Sequence, residues 1–289
     1  MTIEADRIAT LDGFNDVVAL QRTVLGRRAT IWSPSALSAV HRSGGLVLGA
    51  RAVDLPGRPL HGALIDLHGE VDGYRARHTV FRGVHPEVRG RGIATFLRRS
   101  ERAAHLRDNV ALVTWEIDPL RSVDAHLALN KLGAMATGYR RNLYGDVHDA
   151  PNVGLATDRV MVEWWLEAPR VQAIVDRAAS PPHRRLGLHE MSVLTETRVL
   201  PSGLRGLTRQ TVEYASRPSQ RFILVEIPHD LDRIRNEDVG LAKRWRLDSR
   251  ATFELLFENG YVVVGLIHEG GRSFHLFERA TRGDVLGRA

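Results

Sequence analysis

The residues best suited to chemistry form the run Arg89-Gly90-Arg91-Gly92-Ile93-Ala94. An apolar stretch stops before it at Val84-His85-Pro86, and a helical stripe through Ile93, Phe96, Leu97, Ser100 and Ala104 follows, giving the order strand, glycine-rich turn, helix. Such a turn can hold a pyrophosphate. Backbone N–H groups at a helix N-terminus lack intrahelical acceptors, the helix dipole favours an anion there, and glycine lets the backbone approach closely or take positive φ. Arg91 could reach a phosphate, although a solvated arginine is the plainer alternative in an exposed loop. Glu116 ends the nearly continuous apolar run Val110-Ala111-Leu112-Val113-Thr114-Trp115. Burial there would raise a carboxyl pKa and suit it to act as a base, the alternative being an ordinary strand-end ion pair.

Elements around these groups can be read from pattern. Thr10-Leu11-Asp12 caps a first helix ending near Gly26, and Ser33-Pro34 opens a second that stops at Gly44-Gly45. Strands are expected at Leu46 to Val53, Leu60 to Leu67 and Thr79 to Val84, with His68-Gly69-Glu70 and Asp72-Gly73 as loop. The buried strand ending at Trp115 has the composition of one covered on both faces. Ala125, Ala128, Leu129 and Leu132 mark a helix closed by Gly133, and strands follow near Met135 to Tyr139 and Val160 to Leu166. Ala168-Pro169 and Ser180-Pro181-Pro182 bracket a linker or joining helix, which places a boundary between domains 1–167 and 168–289. The second part again mixes strands (Phe222 to Ile227, Tyr261 to Leu266, Ser273 to Glu278) with a helix through Phe253, Leu256 and Phe257. Both parts share the order buried strand, helix, glycine, strand, as an internal repeat would, or as any α/β chain does by chance.

Composition narrows the function classes. A chain of 289 residues with 43% hydrophobic and 26% charged residues is that of a globular protein. No run approaches the length of a membrane helix, and the first residues have no signal-peptide pattern, so a cytoplasmic location is expected. With no cysteine, thiolate nucleophiles, thiolate metal sites and disulfides are excluded. No histidine–carboxylate spacing resembles a zinc site, and His183 with His189 fits no helical ligand pair, so no metal is expected. The net charge of +6 rests almost wholly on arginine, since Lys131 and Lys243 are the only lysines. Pairs such as Arg98-Arg99, Arg140-Arg141 and Arg184-Arg185 are dispersed and aromatics are 6%, which argues against a nucleic-acid partner and fits an anionic cofactor.

The loop and its flanks resemble motif A of the GNAT acetyltransferase superfamily, Arg/Gln-x-x-Gly-x-Gly/Ala, at Arg89, Gly92 and Ala94, with the Val-x-Pro lead-in at Val84 and Pro86. Ala125 to Lys131-Leu132-Gly133-Ala134 is similar to motif B, with Ala134 departing from the usual aromatic. The resemblance covers roughly residues 5 to 166. It implies an α/β fold with a mixed sheet splayed between its fourth and fifth strands, pantetheine inserting like an extra strand. It further implies backbone bonds from Val84 to pantetheine, and amides of Gly90, Arg91, Gly92, Ile93 and Ala94 on the pyrophosphate of acetyl-CoA or another acyl-CoA. The asparagine often found near the start of the motif B helix aligns with Ser122.

One departure matters for chemistry. Many relatives use a motif B tyrosine four residues before the glycine to protonate the leaving thiolate, and that position here is Leu129. Tyr139 and Tyr144 are candidate replacements as acid and Glu116 as base, each with a plain packing or ion-pair alternative. His78, His85 and His126 lie on the strand, loop and helix that would surround a thioester. The resulting expectation is transfer of an acetyl or succinyl group from acyl-CoA to a small amine, within a branch loosely associated with amino acid acylation. The alternative is a non-catalytic acyl-CoA sensor. The second domain resembles the later half of a GNAT fold without a CoA loop; its expected roles are to cover the acceptor cleft or to form a homodimer.

Overall fold

The computed structural model describes residues 1–176, 191–210 and 220–287. Ser180-Pro181-Pro182, Arg184-Arg185, His183 and His189 lie outside the described residues. The chain packs as two compact units, Met1–Trp115 with Val147–Val153, and Glu116–Asp146 with Gly154–Ala289.

In the first unit, β1 (Ile3–Arg7), β2 (Leu46–Ala52), β3 (Leu60–Val71) and β4 (Tyr74–Val84) pair antiparallel in that order, and β5 (Leu112–Ile117) joins β4 in parallel. Helices begin where the sequence offers caps. Thr10 Oγ1 accepts from the Gly13 N–H at 3.3 Å to start α1 (Leu11–Leu25), and Ser33 Oγ accepts from Ala36 at 3.2 Å to start α2 (Pro34–Arg42). The strands read as apolar runs because both faces are covered. Val47, Ala63 and Ile65 pack with Phe14, Val17 and Leu37, while their alternate neighbours Leu46, Leu48 and Leu64 pack with Ile93 and Leu97 of α3 (Ile93–Arg107).

Two strands exceed their expected lengths. The His68-Gly69-Glu70 stretch is strand, not loop, and the chain reverses at Asp72–Gly73, where φ is 51° and 78° as a tight hairpin turn requires. Polar residues continue the ladder there because the hairpin end is solvated and needs no apolar side chains.

The second unit is built on a mixed sheet in the order β7 (Arg159–Trp165), β6 (Met135–Arg140), β12 (Tyr261–Glu269), β13 (Arg272–Arg279), β11 (Phe222–Ile227), β8 (Ser192–Val193), with β9 (Thr195–Val199) and β10 (Arg205–Gln210) as a separate hairpin. β6 meets β12 at Ala136 opposite Val263, so strands on either side of residue 167 share one sheet. The helix through Ala125, Ala128 and Leu129 starts as α4 (Ser122–Ala125) and widens into a π-helical stretch, His126–Lys131, where a regular helix was expected. Asn130 in that stretch donates to the Leu266 carbonyl at 2.7 Å and accepts from its N–H at 3.0 Å, tying the widened turn to β12. Further helices are α5 (Pro169–Val175), α6 (Leu231–Glu237), the long α7 (Val239–Glu258) and α8 (Arg282–Leu286). The fold class is mixed α/β. Among the described residues no helix is long and apolar enough to cross a membrane.

Candidate active site

β4 and β5 pair only from Ala76–His78 to Leu112–Thr114. His78 Nδ1 bonds to Thr114 Oγ1 at 2.9 Å across the last rung, which gives this histidine a structural task. The parallel ladder stops there while β4 runs on to Val84, held on its other side by β3 through Gly62. Arg98 of α3 fills the point of departure. Its guanidinium donates to Thr79 Oγ1 at 2.7 Å and to both Glu101 oxygens at 2.9 Å, and lies 3.9 Å from the Trp115 ring centroid. Burial pushes Glu101 up to about 7 and Asp66 upward, and pushes His105 down to about 4, so a neutral His105 Nε2–H donates to Asp66 Oδ2 at 2.9 Å. Asp66, Glu101 and His105 offer ligand atoms within 4.8 Å of one another, but the Arg98 guanidinium already supplies the positive charge these carboxyls need.

After Val84 a single turn, Pro86–Val88, leads into the glycine loop. Val88 and Ile93 are buried and pin its two ends, while Arg89, Gly90, Arg91 and Gly92 are exposed. Gly90 and Gly92 take φ of 78° and 82°, and Gly92 is the left-handed N-cap of α3. A Cβ at either glycine would meet nothing within 4 Å, so glycine supplies the backbone conformation rather than space. The first helical bond runs from the Phe96 N–H to the Gly92 carbonyl at 2.9 Å, which leaves the N–H groups of Ile93, Ala94 and Thr95 ahead of it. Arg89 Nε points back to the Val84 carbonyl at 3.4 Å. His85, beyond β4, joins its N–H to the His61 carbonyl at 2.8 Å.

The second unit brings two sequence candidates together. The Tyr144 phenol donates to Glu116 Oε2 at 3.1 Å, and the Arg159 guanidinium lies 5.3 Å from the Tyr144 ring. Burial and the Glu116 charge push the phenol up to about 12, although the residue is half exposed. Its turn is stitched to the start of β7. The Tyr144 N–H donates to Thr157 Oγ1 at 3.0 Å, and the Asn142 N–H to Asp158 Oδ1 at 3.0 Å. Tyr139 sits differently. It is buried, stacks on Phe253 at 5.7 Å and donates its hydroxyl to Asp158; burial first, then Asp158, pushes its pKa far up. Burial alone would raise Asp158, but Arg250, Tyr139 and the Asn142 N–H hold it below the usual carboxylate range.

The remaining candidates are accounted for by packing and backbone bonds. Leu129, four residues before Gly133, is fully inside the core. Ser122 donates its hydroxyl to the His229 carbonyl at 2.7 Å. His126 meets Asn130 at 3.2 Å and His268 ring to ring at 5.6 Å. Sequence reasoning missed Arg246 and Arg250 and gave Asp158 no role. Their signal was only the four-residue spacing of the two arginines, which on its own describes any solvated helix face.

No family model matches the sequence, and no curated protein matches it. Solved structures do align with it. The ribosomal-protein-S18-alanine N-acetyltransferase of Escherichia coli matches 57% of this chain and 94% of its own at 15% identity, TM-score 0.43. An N-acetyltransferase of Staphylococcus aureus matches 58% of this chain and 100% of its own at 13% identity, TM-score 0.44. The NatC complex bound to Gag peptide and CoA matches 57% and 99% at 12% identity, TM-score 0.46.

Proposed function

We propose that this chain is a GNAT-type acyl-CoA N-acyltransferase, with residues 1–167 as its acyl-CoA domain and 168–289 as a C-terminal extension. The observation that carries this reading is the Val84–Ala94 segment. A strand leaves its parallel neighbour, turns through two left-handed glycines and presents the free N–H groups of a helix. A bound acyl-CoA would place its pyrophosphate on the amides of Gly90 to Ala94, and its pantetheine along the β4 edge that ends at Val84.

For the transfer itself, the nitrogen of a neutral amine attacks the thioester carbonyl carbon and the C–S bond breaks. The Tyr144–Glu116 pair has the groups for the two proton movements this requires: a phenol that can give a proton to the departing thiolate and a carboxylate that can take one from the attacking nitrogen. The Tyr144–Glu116 hydrogen bond then returns that proton to the phenolate, so the net change is one proton moved from amine to thiol. Tyr139 is assigned a structural role because it is buried against Phe253 with its hydroxyl on Asp158, whereas Tyr144 is half exposed. The donor is acetyl-CoA or succinyl-CoA, and the acceptor the amine of a small molecule such as an amino acid. Release of CoA thiol from each donor against an amine panel tests the reading. Turnover with one acceptor class supports it; tight CoA binding with no turnover would make the chain a sensor, consistent with the buried Leu129.

A further inference from the structure

We infer that the long helix α7 is a positioning brace for the Tyr144–Glu116 couple, which gives the C-terminal segment a task inside its own chain. Arg246, Arg250 and Glu254 stand four residues apart, on one stripe of α7. Each holds a segment that carries one end of the couple. Arg246 pairs with the buried Asp118 at 2.5 Å, and Asp118 Oδ1 accepts from the Leu120 N–H at 2.9 Å, fixing the turn that follows Glu116. Arg250 forks onto Asp158 at 2.6 and 2.8 Å. Through Asp158 and Thr157 it fixes the Asn142 and Tyr144 backbone. Glu254 takes Arg141, the first residue of that turn.

Other contacts from the C-terminal segment fall on the same stretch after Glu116. His275 Nε2 donates to the Pro119 carbonyl at 2.7 Å, and Arg121 forks onto Asp232 of α6 at 2.8 and 2.9 Å. The need for a brace is physical. A half-exposed phenol on a turn does not keep one orientation through a single hydrogen bond, and misplacement of a proton donor by about 1 Å costs on the order of 100-fold in rate. Two buried carboxylates, each met by an arginine from one rigid helix, hold both segments in fixed register. Asp118 and Asp158 stay ionised in the folded protein because these arginines, Arg246 for Asp118 and Arg250 for Asp158, outweigh burial. Both arginines reach the couple through Asp118 and Asp158.

The inference rests on Tyr144 and Glu116 being the proton couple, and its test has one arm that needs no turnover. Arg250→Gln, Arg250→Lys and the milder Glu254→Gln are compared with wild type in the full-length protein. In hydrogen–deuterium exchange, Arg250→Gln should speed the Asn142 and Tyr144 amides by about 10-fold or more while β12 and β13 stay as slow as in wild type. In steady-state kinetics kcat should fall about 10- to 100-fold with KM for acyl-CoA within about 2-fold, Arg250→Lys recovering part of the loss and Glu254→Gln losing least. Uniformly faster exchange, or a loss of kcat that only follows the folded fraction, would overturn the brace. A wild type without turnover defeats the enzymatic reading, and the exchange arm still decides whether α7 orders the turn.

Discussion

The phenol of Tyr144 and the carboxylate of Glu116, 28 residues apart in sequence, meet at 3.1 Å. Glu116 lies one residue before the end of β5 and Tyr144 lies on a turn, so neither position advertises the other. Their contact turns two separate candidates into one proton-handling pair. Tyr144→Phe removes the acid and keeps the ring, so kcat should fall about 100-fold with KM for acyl-CoA little changed. An equal loss through KM with kcat intact would instead make Tyr144 a binding residue.

Because burial and Glu116 push the Tyr144 phenol up to about 12, it stays protonated through the neutral and moderately alkaline range. The pH profile of kcat should therefore show no alkaline decline below about pH 10 in wild type. A decline centred between pH 8 and about 10 would assign the acid to a different group.

Tyr139 gives the contrasting case. Its hydroxyl donates to Asp158, whose other bonds come from Arg250 and the Asn142 N–H. Tyr139→Phe should lower stability by about 1–2 kcal/mol, read from urea unfolding, because a buried acceptor loses a donor. Turnover per folded molecule should drop less than in Tyr144→Phe.

Acid sensitivity should trace to His275. Burial holds it down to about 4, against an ordinary 6.5, with its Nε2–H on the Pro119 carbonyl. Between those values the unfolded chain binds the extra proton, so its stabilising contribution is complete above about pH 6.5 and is lost as pH falls toward 4, by at most about 3 kcal/mol. His105 acts in the same direction, but Glu101, raised to about 7, binds its proton in the folded state over nearly the same range and offsets it. His275→Gln should flatten the fall in urea midpoint between pH 7 and pH 5; an unchanged slope would assign the sensitivity elsewhere.

Much of the framework was legible in the sequence because it is local. Thr10 and Ser33 cap helices where they stand, and apolar runs mark strands covered on both faces. Gly90 and Gly92 mark a turn that needs positive φ. The hairpin beyond Leu67 was missed because its residues are polar, and the π-helical turn because its cause, Asn130 on Leu266, lies 136 residues away. Distance in sequence hid the site as well. Tyr139 and Tyr144 look alike as residues near a strand end, and only Asp158 on one and Glu116 on the other separate them. Arg246 and Arg250 read as ordinary charges on a long helix until Asp118 and Asp158 are seen to meet them.

Calorimetric titration of acetyl-CoA into wild type, Gly92→Ala and Gly92→Glu tests the pyrophosphate loop directly. Both variants put a Cβ at a φ of 82°, and neither Cβ meets a neighbour, so they share the same backbone strain. Only the glutamate brings a carboxylate to the anion site. The expected result is saturable binding by wild type, a modest loss in Gly92→Ala and at least about 100-fold weaker binding in Gly92→Glu, with both variants folded. Equal affinity in Gly92→Glu and wild type, or no binding by wild type, would contradict the assignment of this loop to CoA.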